Sequence, residues 1–281
     1  MSTIEKAVNK LKARSVDQNE NLNPNSVNTP GLNTSSSAEA DIHLPWDEML
    51  VKGMLTPQNS RSEIAEELRA IKRPLLKNAF ANVLQGENKN LIMVTSSVPG
   101  EGKSFSSINL AISIAMELDK TALLVDADVA RPSIARYLGF QAKKGLVDYL
   151  VEGDLDLSDV LVKTDLPKLT ILPAGRQHHY STELLASDSM QMLLHELSNR
   201  YQDRIIIFDS PPLLATSESQ VLANLVGQVV MVVEAVKTTH AMVNEALLKI
   251  PNANIAGLVL NKSRVKSGGS NYGYGYYGEA S

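Results

Sequence analysis

Lys103 and Ser104 stand at the end of a turn of small residues, Ser96-Ser97-Val98-Pro99-Gly100-Glu101-Gly102. The apolar run Leu91-Ile92-Met93-Val94 precedes that turn, and an apolar-periodic segment of helical character follows it. Strand, glycine turn, Lys-Ser and helix together make a device for gripping phosphate. Gly100 and Gly102 lack a Cβ, so the backbone there can bend and come close to phosphate oxygens. The N–H groups of the turn and the positive end of the helix supply the anion site. Lys103 would reach the β- and γ-phosphates, and the Ser104 hydroxyl would ligate Mg²⁺. Ser97 stands where the strict G-x-x-x-x-G-K-[ST] pattern begins with glycine, a departure that a small residue accommodates.

A glycine turn before a helix can arise without this purpose, so the reading needs partners. Phosphoryl transfer is largely positioning and charge neutralisation, and Mg²⁺ takes hard oxygen ligands. Asp209 follows Arg204–Phe208 (RIIIF), and Asp126 ends Thr121–Asp126 (TALLVD). Asp128, two residues further on, is free to reach the phosphates or an incoming hydroxyl. A lone aspartate after a strand is often only a turn or cap residue. Two apolar runs that each end in aspartate, both after a Lys-Ser turn, are the expected complement of a nucleotide site.

These residues need a scaffold. Strand-like runs occur at Leu91–Val94, Thr121–Asp126, Leu169–Ala174, Arg204–Phe208, Gln228–Val233 and Asn254–Leu260. Helical segments are expected at Arg61–Leu76, after Lys103, at Ser133–Leu138, Gly145–Leu150, Glu183–Leu197 and Ala241–Ile250. In the first of these Ser60 is the expected N-cap, with Glu63 completing a capping box, and Pro74 sets a boundary or kink near Arg73. The alternation implies an α/β fold, a P-loop NTPase with a mainly parallel central sheet covered by helices on both faces. Ligands of such sheets sit at strand carboxyl ends, where the turn, Asp126, Asp128, Asp209 and Asn261 all fall.

The 281 residues carry a net charge of −4 and no cysteine. Charge gives no support for nucleic-acid binding, and disulfides, thiolate metal sites and cysteine nucleophiles are excluded. No apolar run approaches the ~20 residues that span a bilayer, so the expected location is the cytoplasm. The domain reading is an amphipathic helix over 1–14, a disordered linker over 15–40, a docking segment over 41–60 and a P-loop domain over 61–264. A tyrosine-rich tail, expected to be mobile, occupies 265–281. Adjacent His178 and His179 point different ways and lack further ligands nearby, so they read as loop residues and not a metal site.

The motifs SVPGEGKS, LLVDAD and IIIFDSPP resemble the Walker A, A′ and B motifs of bacterial tyrosine kinases, and the cluster Tyr272, Tyr274, Tyr276, Tyr277 resembles their C-terminal tyrosines. STIEKAVNKL and EELRAIKRPLL resemble the soluble autokinases of exopolysaccharide and exosortase systems. The resemblance implies ATP-dependent autophosphorylation of the tail tyrosines, regulating exopolysaccharide polymerisation or export. It implies nucleotide contacts from Ser97, Pro99, Gly100, Glu101, Gly102, Lys103, Ser104 and Phe105, with Asn261 toward the base. It assigns Mg²⁺ to Ser104, Asp126 and Asp209, and the tyrosine proton to Asp128.

The same resemblance implies a membrane polysaccharide co-polymerase, or chain-length determinant, as activator, which would hold the chain at the inner face of the plasma membrane. A cognate tyrosine phosphatase and a homo-oligomer, possible as a ring, complete the implied partners. The family's E-x-x-R-x-x-R assembly helix has two competing registers here, Glu66-Arg69-Lys72 and Glu67-Ala70-Arg73. Its D-x-D-x-R pattern is shifted, with Ala130 at the arginine position and Arg131 next. From Lys266 the tail can extend ~50 Å, enough to enter a neighbour's site in trans. The rival reading is a partition- or septum-type ATPase switch without kinase activity. Those proteins carry a signature lysine where Val98 stands.

Overall fold

The structure is a computed structural model that describes residues 40–81, 88–176, 181–200 and 203–263. The expected helix over 1–14, nearly all of the 15–40 linker, His178, His179 and the 265–281 tail lie outside the described residues.

The strands are β1 (Leu91–Ser96), β2 (Thr121–Asp126), β3 (Val162–Lys163), β4 (Leu169–Leu172), β5 (Arg204–Asp209), β6 (Gln228–Glu234) and β7 (Ile255–Asn261). They form one sheet in the order β3-β4-β2-β5-β1-β6-β7. All pairings are parallel except β3 with β4. The helices are α1 (Trp46–Val51), α2 (Glu63–Phe80), α3 (Lys103–Ala115), α4 (Ile134–Tyr137), α5 (Leu146–Val151), α6 (Ser181–Leu184), α7 (Asp188–Arg200), α8 (Glu218–Leu225) and α9 (His240–Leu248).

The central runs β1, β2, β5 and β6 are apolar because both faces of the sheet are covered there, whereas the edge strand β7 leaves Leu258 and Leu260 exposed. Side chains alternate, so Leu91 and Met93 join one core with Val125, Phe208 and Met231, beneath residues of α5, α7 and α8. Ile92 and Val94 join the opposite core with Leu124, Ile207 and Val232, beneath α2 and α3. Helix α3 is buried on every side from Ser107 onward, and that part is rich in Ile, Leu and Ala.

Residues 41–60 pack into the second core through Leu44, Met49, Met54 and Leu55. Buried Asn109 of α3 accepts the Leu55 N–H at 2.6 Å and donates to the Phe105 carbonyl at 2.7 Å. The sole tryptophan, Trp46, donates its indole N–H to Asp165 at 3.1 Å.

Several expected boundaries differ. Helix α2 starts at Glu63 from Ser62, without the Ser60 capping box, and runs through Pro74 to Phe80. Packing holds it past the proline: Leu75 and Ala79 are buried, and Lys72 donates to the Ser113 carbonyl at 2.7 Å and pairs with Glu117 at 2.5 Å. The segment expected as one helix over Glu183–Leu197 is two, α6 and α7. Ser187 makes the break, accepting the Met190 N–H at 3.2 Å and donating to the Leu184 carbonyl at 2.7 Å. Strand β3 and helix α8 add elements that the apolar pattern does not mark.

Candidate active site

Sheet order brings the carboxyl ends of β1, β2, β5 and β7 around one cleft of about 700 Å³. The glycine turn after β1 forms its floor. Gly100 and Gly102 adopt φ of +91° and +98°, the left-handed region open to glycine at little cost. A Cβ on Gly102 would also collide with the Asn261 side chain. Asn261 donates to the Glu101 carbonyl at 2.8 Å, and Lys262 donates to the Gly100 carbonyl at 2.6 Å, so the end of β7 braces the turn.

The register of the sheet sets Asp126 directly beside Asp209. Asp126 Oδ2 accepts the N–H groups of Ser133 and Ile134 at 3.0 and 2.9 Å. Asp209 Oδ1 lies 3.1 Å from the Ser107 hydroxyl and 3.8 Å from Lys103 Nζ. Lys103 Nζ pairs with Asp128 Oδ2 at 2.7 Å, and Asp128 Oδ1 accepts the Arg131 N–H at 3.1 Å. The Ser104 hydroxyl lies 2.8 Å from that of Ser133.

Three carboxylates around one ammonium leave excess negative charge in a buried place. Burial works against the Lys103 charge, yet Asp209 and Asp128 outweigh it and hold the ammonium above its ordinary pKa. Burial, and then the charge of Asp209, push Asp126 up to about 7 against the pull of its two backbone donors. Burial also raises Asp209, although Lys103 and its hydroxyl neighbours oppose the shift.

Asp126 Oδ1 and Asp209 Oδ2 are buried without a hydrogen-bond partner. Orphaned carboxylate oxygens are costly unless a cation or its waters meet them. With the Ser104 hydroxyl nearby, this hard-oxygen set fits Mg²⁺.

Pro99, Gly100, Gly102, Lys103, Ser104, Phe105, Asp128 and Asn261 line the cleft. Asp126 and Asp209 lie behind that lining, at 1% and 0% exposure. Two expected nucleotide contacts do not present side chains to it. Glu101 is buried, accepts the Val98 and Glu234 N–H groups at 2.8 and 3.3 Å, and bonds to Thr238, so its carboxylate ties the turn to β6. Ser97 is fully buried, with a hydroxyl that has no partner. The four tail tyrosines lie outside the described residues.

In the first helix register, Arg69 is engaged by Glu66 and the Ser60 carbonyl, while Lys72 is buried against α3. In the second, Glu67 faces a separate groove of about 380 Å³, and Arg73 is exposed.

No sequence motif marks Ser107, Ser133 or Lys262 as a functional residue. Ser107 carried a signal, since it stands one helical turn beyond Lys103 and therefore on the same face. Ser133 and Lys262 lie in loops, where spacing says little about direction.

A family model described as an AAA domain matches residues 89–251. The tyrosine-protein kinase CpsD of Streptococcus agalactiae is 30% identical over 72% of this chain and 88% of its own length. This chain belongs to the bacterial tyrosine kinases. The tyrosine-protein kinase ptk of Acinetobacter johnsonii is 31% identical over 77% of this chain. The kinase domain of the Escherichia coli tyrosine kinase ETK superposes with a TM-score of 0.64 at 27% identity, covering 84% of this chain and 95% of that one. The chain spans about a quarter of the length of the first curated relatives it matches, 28% in ptk. In this chain the P-loop and two strand-end aspartates meet in one mainly parallel sheet.

Proposed function

We propose that the chain is an ATP-dependent protein-tyrosine autokinase acting on Tyr272, Tyr274, Tyr276 and Tyr277. The observation that carries this reading is the pair of orphaned oxygens, Asp126 Oδ1 and Asp209 Oδ2, beside the lysine of the P-loop. Mg²⁺, when bound, offsets the charge of the β- and γ-phosphates. Lys103 leaves its ion pair with Asp128 for the phosphates, and Ser104, Asp126 and Asp209 would hold the metal. Asp128, once released, accepts the proton of the attacking tyrosine hydroxyl. The tyrosine O–P bond forms as the bond to the β,γ-bridging oxygen breaks, and ADP departs.

Regulation of exopolysaccharide polymerisation or export accompanies this reading. A relative of 31% identity is the succinoglycan biosynthesis transport protein ExoP of Rhizobium meliloti. A membrane co-polymerase is the proposed activator, holding the chain at the inner face of the plasma membrane, with a cognate phosphatase to reset it. Among the described residues no helix is long and apolar enough to cross a membrane. Homo-oligomers through α2 would use Arg73 and Glu67, because Arg69 and Lys72 are engaged within the chain.

The test is to follow phosphotyrosine, ADP and free phosphate together in Mg-ATP. A kinase forms ADP matched by phosphotyrosine, and Asp209→Asn loses both. ADP matched by free phosphate, with no phosphotyrosine, would point instead to the ATPase switch.

A further inference from the structure

The cleft holds two cations that the chemistry above does not use. Arg131 and Arg136 line it with Lys103 and Asp128, and both are exposed. Neither guanidinium has an ion-pair or hydrogen-bond partner among the described residues. The two lysines of the cleft differ, for Lys103 pairs with Asp128 and Lys262 pairs with Glu234 at 3.1 Å. Arg131 and Arg136 follow β2, whereas Asn261 and Lys262 follow β7. In the sheet these strands lie on opposite sides of β1, which carries the P-loop. A nucleotide base on the Asn261 side therefore leaves the arginine side for the acceptor.

The acceptor stretch Ser267–Ser281 carries only one acidic side chain, Glu279. Two unpaired arginines have little to recognise there until a phosphate has been added. Phosphotyrosine brings about −1.5 to −2 charges, and a guanidinium grips such a group through paired hydrogen bonds. Tyr272, Tyr274 and Tyr276 alternate, and in an extended peptide residues two apart lie about 7 Å from each other on one side.

We propose that Arg131 and Arg136 bind a phosphotyrosine already present on the tail, so that one modified tyrosine promotes phosphorylation of the next. This rests on the kinase reading. Each round still moves one phosphoryl group from ATP to one tyrosine oxygen and releases ADP and a proton, with no further reactant.

The experiment uses the full chain and synthetic peptides of Ser267–Ser281, with Tyr274 either free or phosphorylated. The readout is the ratio of kcat/KM for the two peptides. The expected ratio is about tenfold in favour of the phosphorylated peptide. It should fall to about one in the double variant Arg131→Gln, Arg136→Gln, and partly return with lysine at both positions, which keeps the charge but loses the fork. A ratio near one in the parent chain overturns the proposal, whatever the folding of the variants. So does a preference that survives in folded glutamine variants, or a rise only in the KM for ATP. If neither peptide is phosphorylated, the kinase reading itself fails. If both are phosphorylated equally, only this inference does.

Discussion

The Asp126 carboxylate concentrates the chemistry of the site in one group. Its pKa of about 7 in the folded chain lies above the ordinary 3.8. Between those values the folded chain holds a proton that the unfolded chain has released, so stability is lost as pH rises through that window. Thermal unfolding without Mg²⁺ should show a lower midpoint at pH 8 than at pH 5. Asp126→Asn removes the buried charge while one oxygen still accepts from Ser133 and Ile134, so the variant should melt above its parent at pH 8 and level with it near pH 4. Mg²⁺ should raise the parent's midpoint at pH 8 more than the variant's. Ser107→Ala deletes the hydroxyl 3.1 Å from Asp209 and should lower the rate of phosphoryl transfer about tenfold, read from initial rates at saturating Mg-ATP. At this scale the sequence showed residue types well. It did not show that Glu101 turns inward, since a carboxylate between two glycines gives no sign that Val98, Glu234 and Thr238 will claim it.

Elements explain how those groups are held. Buried Asn109 satisfies the Leu55 N–H and the Phe105 carbonyl at once, fastening residues 41–60 to α3. Asn109→Ala leaves a buried donor unmet and should cost about 2 kcal/mol, measured by urea unfolding. Val236, in the loop after β6, adopts a φ of +69° with its side chain fully exposed, so no packing repays that backbone strain. Val236→Gly should stabilise the chain by about 0.5–1 kcal/mol, seen as a raised urea midpoint with an unchanged slope. The parallel strands were legible because both faces of each are apolar. Strand β3 was not, because two residues carry no period, and its place comes from pairing with Ile171 and Thr170. Pro74 misled for a related reason. Local chemistry argues for a break there, but buried Lys72, Leu75 and Ala79 lock α2 to its neighbours on both sides of the proline.

In the whole molecule one cleft serves one acceptor tail. Transfer in trans predicts that a Lys103→Met chain with intact tyrosines gains phosphate when mixed with a chain whose four tail tyrosines are phenylalanine. No label on the Lys103→Met chain would confine transfer to the same molecule. Four phosphates would add about −6 to −8 charges per tail, and repulsion between tails should loosen any oligomer, measured by sedimentation before and after phosphatase treatment.

The most direct measurement is the intact mass of the purified chain after Mg-ATP, followed by peptide mapping, beside Lys103→Met. A tail autokinase gives successive phosphates confined to Tyr272, Tyr274, Tyr276 and Tyr277, absent from the variant. An unmodified tail in a chain that turns over ATP, or the same phosphates on the Lys103→Met chain alone, would contradict it.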